Sequence, residues 1–354
     1  MMKALFLTAL AAGSAASVPT AAANLKYHGI DWSSTIVEER DKGVTYKNAQ
    51  GVAKPLEEIL VDAGVNMVRQ RVWTVEGDYG ISYNLELAKR ANASGLMFGL
   101  NLHYSDSFTN PGLQDIPTGW PTAIDALEAQ VTNYTAEVCA AFAAAGLYPE
   151  MITIGNEIDG GILWPTGKYD QPENLARLLH AGSAAIRASA LGSTTKIVTH
   201  LAHGYDADLQ DWYYDMLVKT GKFTTADWDV IAVSFYPFWS SEATFSALET
   251  ALSGLATQYN KEVQVVETNW PTKCTSPDYT FPSDQLSIPL STAGQTEYIT
   301  MVADTLKKIP SATGLNYWEA AWISNAVLGS SCESNVMFDG TGKAYDSLAV
   351  FGTI

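Results

Sequence analysis

Two short apolar runs in this 354-residue chain each end in a glutamate. Met151-Ile-Thr-Ile-Gly-Asn-Glu157 carries a β-branched run into Gly155, Asn156 and a carboxylate, with Gly160 and Gly161 just beyond. Val263-Gln-Val-Val-Glu267 repeats the pattern further along, followed by Thr268, Asn269 and Trp270. A single strand-end glutamate often serves only as a cap or an ion-pair partner. Two of them in like contexts point to carboxylates that work together. One carboxyl protonates a leaving oxygen while the other attacks an anomeric carbon or activates water, which is the chemistry of glycoside hydrolysis. In such a pair the acid has its pKa raised by its neighbour's charge. Asn156 is placed to hydrogen-bond a sugar 2-hydroxyl, Arg71 and His103 to hold Glu267 ionised, and Tyr236 to orient it.

Positioning these side chains takes strands that end on a common rim. Tyr27 to Asp31, Asn66 to Trp73, Leu96 to His103, Met151 to Glu157, Lys196 to His200, Val230 to Tyr236, Val263 to Glu267 and Gly314 to Trp318 read as strands. Helices read between them at Leu56 to Ala63, Asn84 to Ser94, Thr122 to Ala145, Pro172 to Ala190, Asp208 to Lys219, Phe245 to Tyr259 and Thr292 to Lys308. The longest shows the apolar stripe Leu127, Val131, Tyr134, Val138 and Phe142 and stops at Gly146. Strands alternating with helices predict an α/β fold, a (β/α)8 TIM barrel. A doubly wound sheet alternates in the same way. The polar ring Asp31, Arg71, His103, Asn156-Glu157, Tyr236, Glu267 and Trp318 at successive strand ends favours the barrel, whose C-terminal strand ends carry the site.

Residues 1–23 hold Lys3, an apolar run from Ala4 to Ala12 and small residues ending in Ala21-Ala22-Ala23, the layout of a secretory signal. Residues 24–354 then form one domain, a secreted catalytic barrel. The formal charge of −17 becomes −18 without Lys3. Such a surface repels nucleic acid and anionic lipid and leaves neutral polymers unaffected. No membrane association is expected, and the chain is read as a monomer. Of three cysteines, Cys274 and Cys332 lie in stretches rich in Ser, Pro and Thr, whereas Cys139 falls inside a helical pattern. The first two are the expected disulfide and Cys139 a buried hydrophobe. Sequons at Asn92 and Asn133 are candidate glycosylation sites, and Asn133 falls off the apolar stripe of its helix. Among ten tryptophans, Trp120, Trp164, Trp239, Trp270, Trp318 and Trp322 lie at or after strand ends, where an aromatic face stacks on a sugar.

Seven motifs, in order, resemble the endo-β-1,4-galactanases of glycoside hydrolase family 53 within the clan of retaining (β/α)8 glycosidases. They are Gly64-Val-Asn-Met-Val-Arg-Gln-Arg-Val-Trp73, Leu102-His-Tyr-Ser-Asp106, Ile154-Gly-Asn-Glu157, Gly161-Ile-Leu-Trp-Pro165, Val233-Ser-Phe-Tyr-Pro237, Val265-Val-Glu-Thr-Asn-Trp-Pro271 and Tyr317-Trp-Glu-Ala-Ala-Trp322. The resemblance implies Glu157 as acid/base and Glu267 as nucleophile, acting on the neutral β-1,4-galactan side chains of pectin. Substrate contacts are expected from Asp31, Arg71, His103, Asp106, Asn156, Tyr236, Trp270, Trp318 and Trp322. It also implies a non-proline cis peptide at Trp318-Glu319. The chain departs from the family where Phe108-Thr-Asn-Pro111 stands for Trp-Ala-Asp-Pro, and where Trp318-Glu-Ala-Ala-Trp322 stands for Trp-Glu-Pro-Ala-Trp. Some bacterial relatives bind calcium after strand eight, whereas Cys274 and Cys332 resemble the fungal arrangement that ties those loops covalently. No metal and no cofactor are expected. The alternatives are a mannanase or xylanase of the same clan, and an inactive carbohydrate-binding barrel, against which both glutamates count.

Overall fold

Runs of Val, Ile and Met bounded by turn residues give eight strands that close on themselves. They are β1 (Tyr27–Asp31), β2 (Met67–Val72), β3 (Met97–Leu102), β4 (Met151–Ile154), β5 (Lys196–Leu201), β6 (Val230–Ser234), β7 (Glu262–Glu267) and β8 (Ala312–Tyr317). Each pairs in parallel with its neighbours in sequence, and β8 returns to β1. The computed structural model describes residues 24–354, so the expected leader over 1–23 lies outside the described residues. The architecture is the expected (β/α)8 barrel.

The helices around it are α1 (Thr35–Lys42), α2 (Leu56–Asp62), α3 (Ile81–Ala93), α4 (Ile124–Ala144), α5 (Pro172–Ala188), α6 (Ala207–Lys219), α7 (Phe245–Tyr259) and α8 (Thr292–Lys307). Asp206, Thr244 and Ser291 accept backbone N–H bonds at the starts of α6, α7 and α8, satisfying donors the first turn leaves free. On α4 the predicted stripe, Leu127 through Phe142, is buried, and Cys139 is buried and free. Asn133 on the same helix is exposed, as is Asn92 on α3. Sequence reading passed over α1, because five of its eight residues are charged and little apolar periodicity shows. A small hairpin, Gly161–Ile162 with Gly167–Lys168, follows β4.

Alternation along the strands sends every second side chain into the barrel. Tyr27, Met67, Met151, Val198, Val230, Ala232 and Val266, all from strands, pack together as a core of their own, separate from the larger one beneath the helices. Following the same alternation upward on β1 and β2 brings Asp31, Arg69 and Arg71 to the interior. Gly29 lies opposite Asn316, whose amide oxygen would sit 1.7 Å from any Cβ placed there, so only glycine fits beneath the polar layer.

On β7 strict alternation from Gln264 would turn Glu267 outward. The register slips at this point, pairing Val233 with Val265 but Ser234 with Glu267. One extra residue in β7 therefore re-aims the carboxylate inward, a common use of a bulge beside a functional site.

Cys274 and Cys332 are bonded, with Cα atoms 4.3 Å apart and a sequence separation of 58. They pack on Phe238, tying the loops after β7 and β8 to the one after β6. Closing a loop of this length contributes on the order of 4 kcal/mol in the chain-entropy picture. The peptide Trp318-Glu319 is not cis, contrary to expectation; among the described residues the cis bond is Trp164-Pro165. The chain turns instead at Glu319, whose φ is +47°, while the Trp318 N–H donates to the Thr268 carbonyl.

Candidate active site

The C-terminal ends of the strands surround a cleft of about 550 Å³. Glu157 enters it from the turn after β4. There Gly155 adopts φ +91°, where a Cβ would meet Ile158 at 2.6 Å. Glu157 itself is left-handed, with φ +48° and ψ +58°. For a residue with a Cβ that conformation costs about 1–2 kcal/mol, and such strain gathers at sites where a side chain must point one way.

The two glutamates have unequal company. Glu267 accepts from Arg69 Nη1 at 2.8 Å and from the Tyr236 hydroxyl at 2.9 Å. Burial keeps the Tyr236 phenol protonated far above its usual range, so it remains a donor. Among the described residues Glu157 meets a single side-chain partner, the Ser234 hydroxyl, 2.7 Å from Oε1. Burial, and then the charge of Glu267, push the Glu157 carboxyl well above the ordinary glutamate range. Burial also lifts Glu267, but the charge of Arg69 opposes it, as do the bonds from Tyr236 and Arg69. Of the two, Glu267 gives up its proton first. One carboxylate and one carboxylic acid side by side is the division of labour that glycosidic cleavage requires.

The cation at Glu267 is Arg69, not Arg71 as the sequence suggested. Arg69 Nη1 also donates to Asp31 Oδ2 at 3.1 Å, and Nη2 to Asn156 Oδ1 at 3.0 Å. Register explains the difference: Asp31 pairs with Arg69, which sets Arg71 one inward position higher. There Arg71 is bonded to Glu319 and donates to Ser34 Oγ at 2.8 Å. Its guanidinium sits over the rings of Tyr79, Phe108 and Trp322 at 4.1, 4.6 and 5.2 Å. Phe108, at the point of departure from the family pattern, is thus part of an aromatic box around Arg71 and lines the cleft. His103 does not reach Glu267 either. Its Nε2 faces Asn101 Nδ2 at 3.2 Å and its Nδ1 faces Thr109 Oγ1 at 3.0 Å. Burial and the two arginines hold it well below the usual imidazole range, hence neutral.

The cleft brings together Asp31, Arg71, His103, Asn156, Glu157, Tyr236, Glu267, Trp318 and Trp322 from the predicted set. Two predicted contacts stand elsewhere. Asp106 accepts from the Thr74 hydroxyl and from the Thr118 N–H at 2.7 Å, which staples the loops after β2 and β3. Trp270 is only 1 % exposed, stacks on Tyr298 at 4.9 Å and donates its indole N–H to Pro289. It belongs to the core, because the chain after β7 turns down behind the rim. Sequence reasoning passed over Arg69, Glu319, His200 and Ser234. It also passed over His203, which lines the cleft, and the buried Asp159 behind it, whose Oδ1 lies 2.7 Å from His203 Nδ1. The bond to Asp159 raises the His203 pKa.

Arg69 is the residue whose loss the site tolerates least after the glutamates themselves. Arg69→Met leaves Asp31 and Glu267 buried without their cation, a cost of about 3–5 kcal/mol. It should also lower kcat about 10²–10³-fold, the scale for one preorganised electrostatic group. Urea unfolding and steady-state kinetics check both, and a variant with wild-type values would contradict the assignment.

A (β/α)8 barrel whose rim opposes a clamped carboxylate to a nearly unpartnered carboxylic acid is built as a glycoside hydrolase. The model of glycosyl hydrolase family 53 matches residues 27–351, and the chain belongs to that family. It is 49 % identical to the arabinogalactan endo-beta-1,4-galactanase of Thermothelomyces thermophilus, over 93 % of this chain and all of the relative. A solved fungal beta-1,4-galactanase superposes with a TM-score of 0.92 at 49 % identity, over 93 % of this chain and all of that one. The family 53 catalytic domain of Ignisphaera aggregans does so with 0.80 at 30 % identity, over 93 % and 95 %.

Proposed function

We propose that the protein is a secreted, retaining endo-β-1,4-galactanase that cleaves the β-1,4-galactan side chains of pectin. The observation that carries the mechanism is the asymmetry of the pair: Arg69 and Tyr236 on Glu267, one hydroxyl on Glu157. Glu267 attacks the anomeric carbon while Glu157 passes its proton to the departing glycosidic oxygen, leaving a glycosyl-enzyme ester and a shortened chain. Glu157, now a carboxylate, takes a proton from water as that water displaces Glu267, and two inversions give retention. Asn156 stands beside Glu157 for the 2-hydroxyl. Trp318, Trp322 and Trp239, the last 41 % exposed, line the cleft and supply aromatic surface on which sugars stack. Galactan as substrate is supported by the relatives that match nearly end to end, which are arabinogalactan endo-beta-1,4-galactanases. Export is supported by the leader-like residues 1–23 and by the exposed sequon asparagines Asn92 and Asn133.

Reducing-end release measured on galactan, mannan, xylan and cellulose tests the assignment. Galactan should be the polymer cleaved. Preferential cleavage of mannan or xylan would replace this reading with that of another clan glycanase, and sugar binding without cleavage of any of the four with that of an inactive barrel.

A further inference from the structure

His200 on β5 and Ser234 on β6 are both fully buried and stand directly behind the acid, and their hydrogen-bond roles can be deduced. Asn156 Oδ1 faces Arg69 Nη2 at 3.0 Å and Asn101 Nδ2 at 2.8 Å, while Asn156 Nδ2 faces the Thr109 carbonyl at 2.9 Å. Arginine only donates and a carbonyl only accepts, so the amide orientation is fixed. His200 Nδ1 lies 3.1 Å from that Oδ1 and 3.4 Å from Arg69 Nη2, which is closer to Oδ1, at 3.0 Å; two bare acceptors at 3.1 Å would repel, so the shorter contact places the hydrogen on Nδ1. Burial, Arg69 and His103 keep the ring neutral, which leaves Nε2 a bare acceptor. Ser234 Oγ is 2.9 Å from Nε2 and 2.7 Å from Glu157 Oε1. The hydroxyl has one hydrogen and two acceptors competing for it.

We propose that the Ser234 hydroxyl is a two-position rotor that follows the proton of Glu157, with His200 as its alternative acceptor. When Oε1 carries the proton, Glu157 donates to Ser234 Oγ and Ser234 donates to His200 Nε2. Whenever Oε1 is bare the hydroxyl turns to donate to Glu157. It is bare in an acid poised with its proton on the cleft-facing oxygen, and in the carboxylate left after leaving-group departure. The bond to the charged form is the stronger one, so the rotor steadies Glu157 as the base of the second step. The serine alone would favour the carboxylate at all times; the imidazole returns stability to the acid. Ser234 and His200 are positioning residues, acting through Glu157.

The inference rests on Glu157 being the acid/base and is read in the basic limb of the pH profile of kcat/KM. The groups facing Glu157 are Glu267 on β7, Arg69 on β2, Asp159 on its own loop and Tyr236 just after β6. His103 after β3 and His203 after β5 share the cleft wall. None of these is altered by the substitutions at Ser234 and His200 that follow, and His200 itself is neutral. Ser234→Ala removes the donor to the carboxylate, so the acid should stay protonated to higher pH and the limb should rise by about one unit, the tenfold of a single charge-assisted bond. His200→Phe removes the competing acceptor while filling the space, so the hydroxyl stays on Glu157 and the limb should fall. Ser234→Thr, which keeps the hydroxyl, should restore the wild-type limb. Shifts of the same sign, or an unmoved limb in Ser234→Ala, overturn the rotor. If His200→Phe fails to fold, His200→Leu, which also lacks the acceptor, takes its place with the same fall expected and a rise or an unmoved limb overturning the rotor. Glu157→Gln has no acid to titrate and must lose the limb altogether; its persistence there would refute the assignment of Glu157 itself rather than the rotor.

Discussion

Glu267→Ala should lower turnover of galactan on the order of 10⁶-fold, the scale seen when a covalent nucleophile is removed. The loss should be equally severe on an activated aryl galactobioside, because a better leaving group does not replace the missing attack on the anomeric carbon. The fold should survive, since Arg69 keeps Asp31 and Asn156 as buried partners after the substitution. Circular dichroism and urea unfolding close to wild type, together with lost activity on both substrates, are the expected outcome. Retention of aryl galactobioside cleavage at wild-type rate would remove Glu267 from the nucleophile's role.

Glu157→Ala should divide the two substrates. Galactan has a poor leaving group, and loss of its proton donor should cost up to about 10⁴-fold, the upper range for general acid catalysis. An aryl galactobioside whose phenolate leaves unaided should still form the glycosyl-enzyme and then stall, for want of a base to activate water. Azide needs no base, so adding it should restore turnover and yield the β-glycosyl azide. With Glu267→Ala any azide product should be the α-anomer, formed by direct displacement. A β-azide from Glu267→Ala, with Glu157→Ala unrescued, would exchange the two roles.

The barrel and the two glutamates that meet in its cleft were legible in the sequence because both depend on local pattern. β-branched runs ending in glutamate, and helices closed by glycine, announce themselves within a dozen residues. What was not legible depends on register and on turns. Arg69 and Arg71 share one face of β2, and only the pairing of Asp31 with Arg69 decides which meets Glu267. Glu267 points inward through a bulge that no residue of β7 signals by type. Glu319 stands next to Trp318 in a recognised motif, yet its bond to Arg71 depends on the left-handed turn at that residue. Trp270 follows Glu267 by three positions and still belongs to the core, because the backbone dives behind the rim. His200 and Ser234 are small signals near the ends of short, mostly apolar strands, and their meaning lies in distances between β5 and β6 that sequence spacing does not contain.

The covalent intermediate is the most direct test of the account. An activated 2-deoxy-2-fluoro-β-galactobioside should form a glycosyl-enzyme quickly and release it slowly, and mass spectrometry of a protease digest should find the sugar ester on the peptide containing Glu267. A sugar on Glu157 would contradict the assignment of roles, and an α-anomer as the first product of galactan cleavage, with no adduct on either glutamate, would contradict the retaining mechanism.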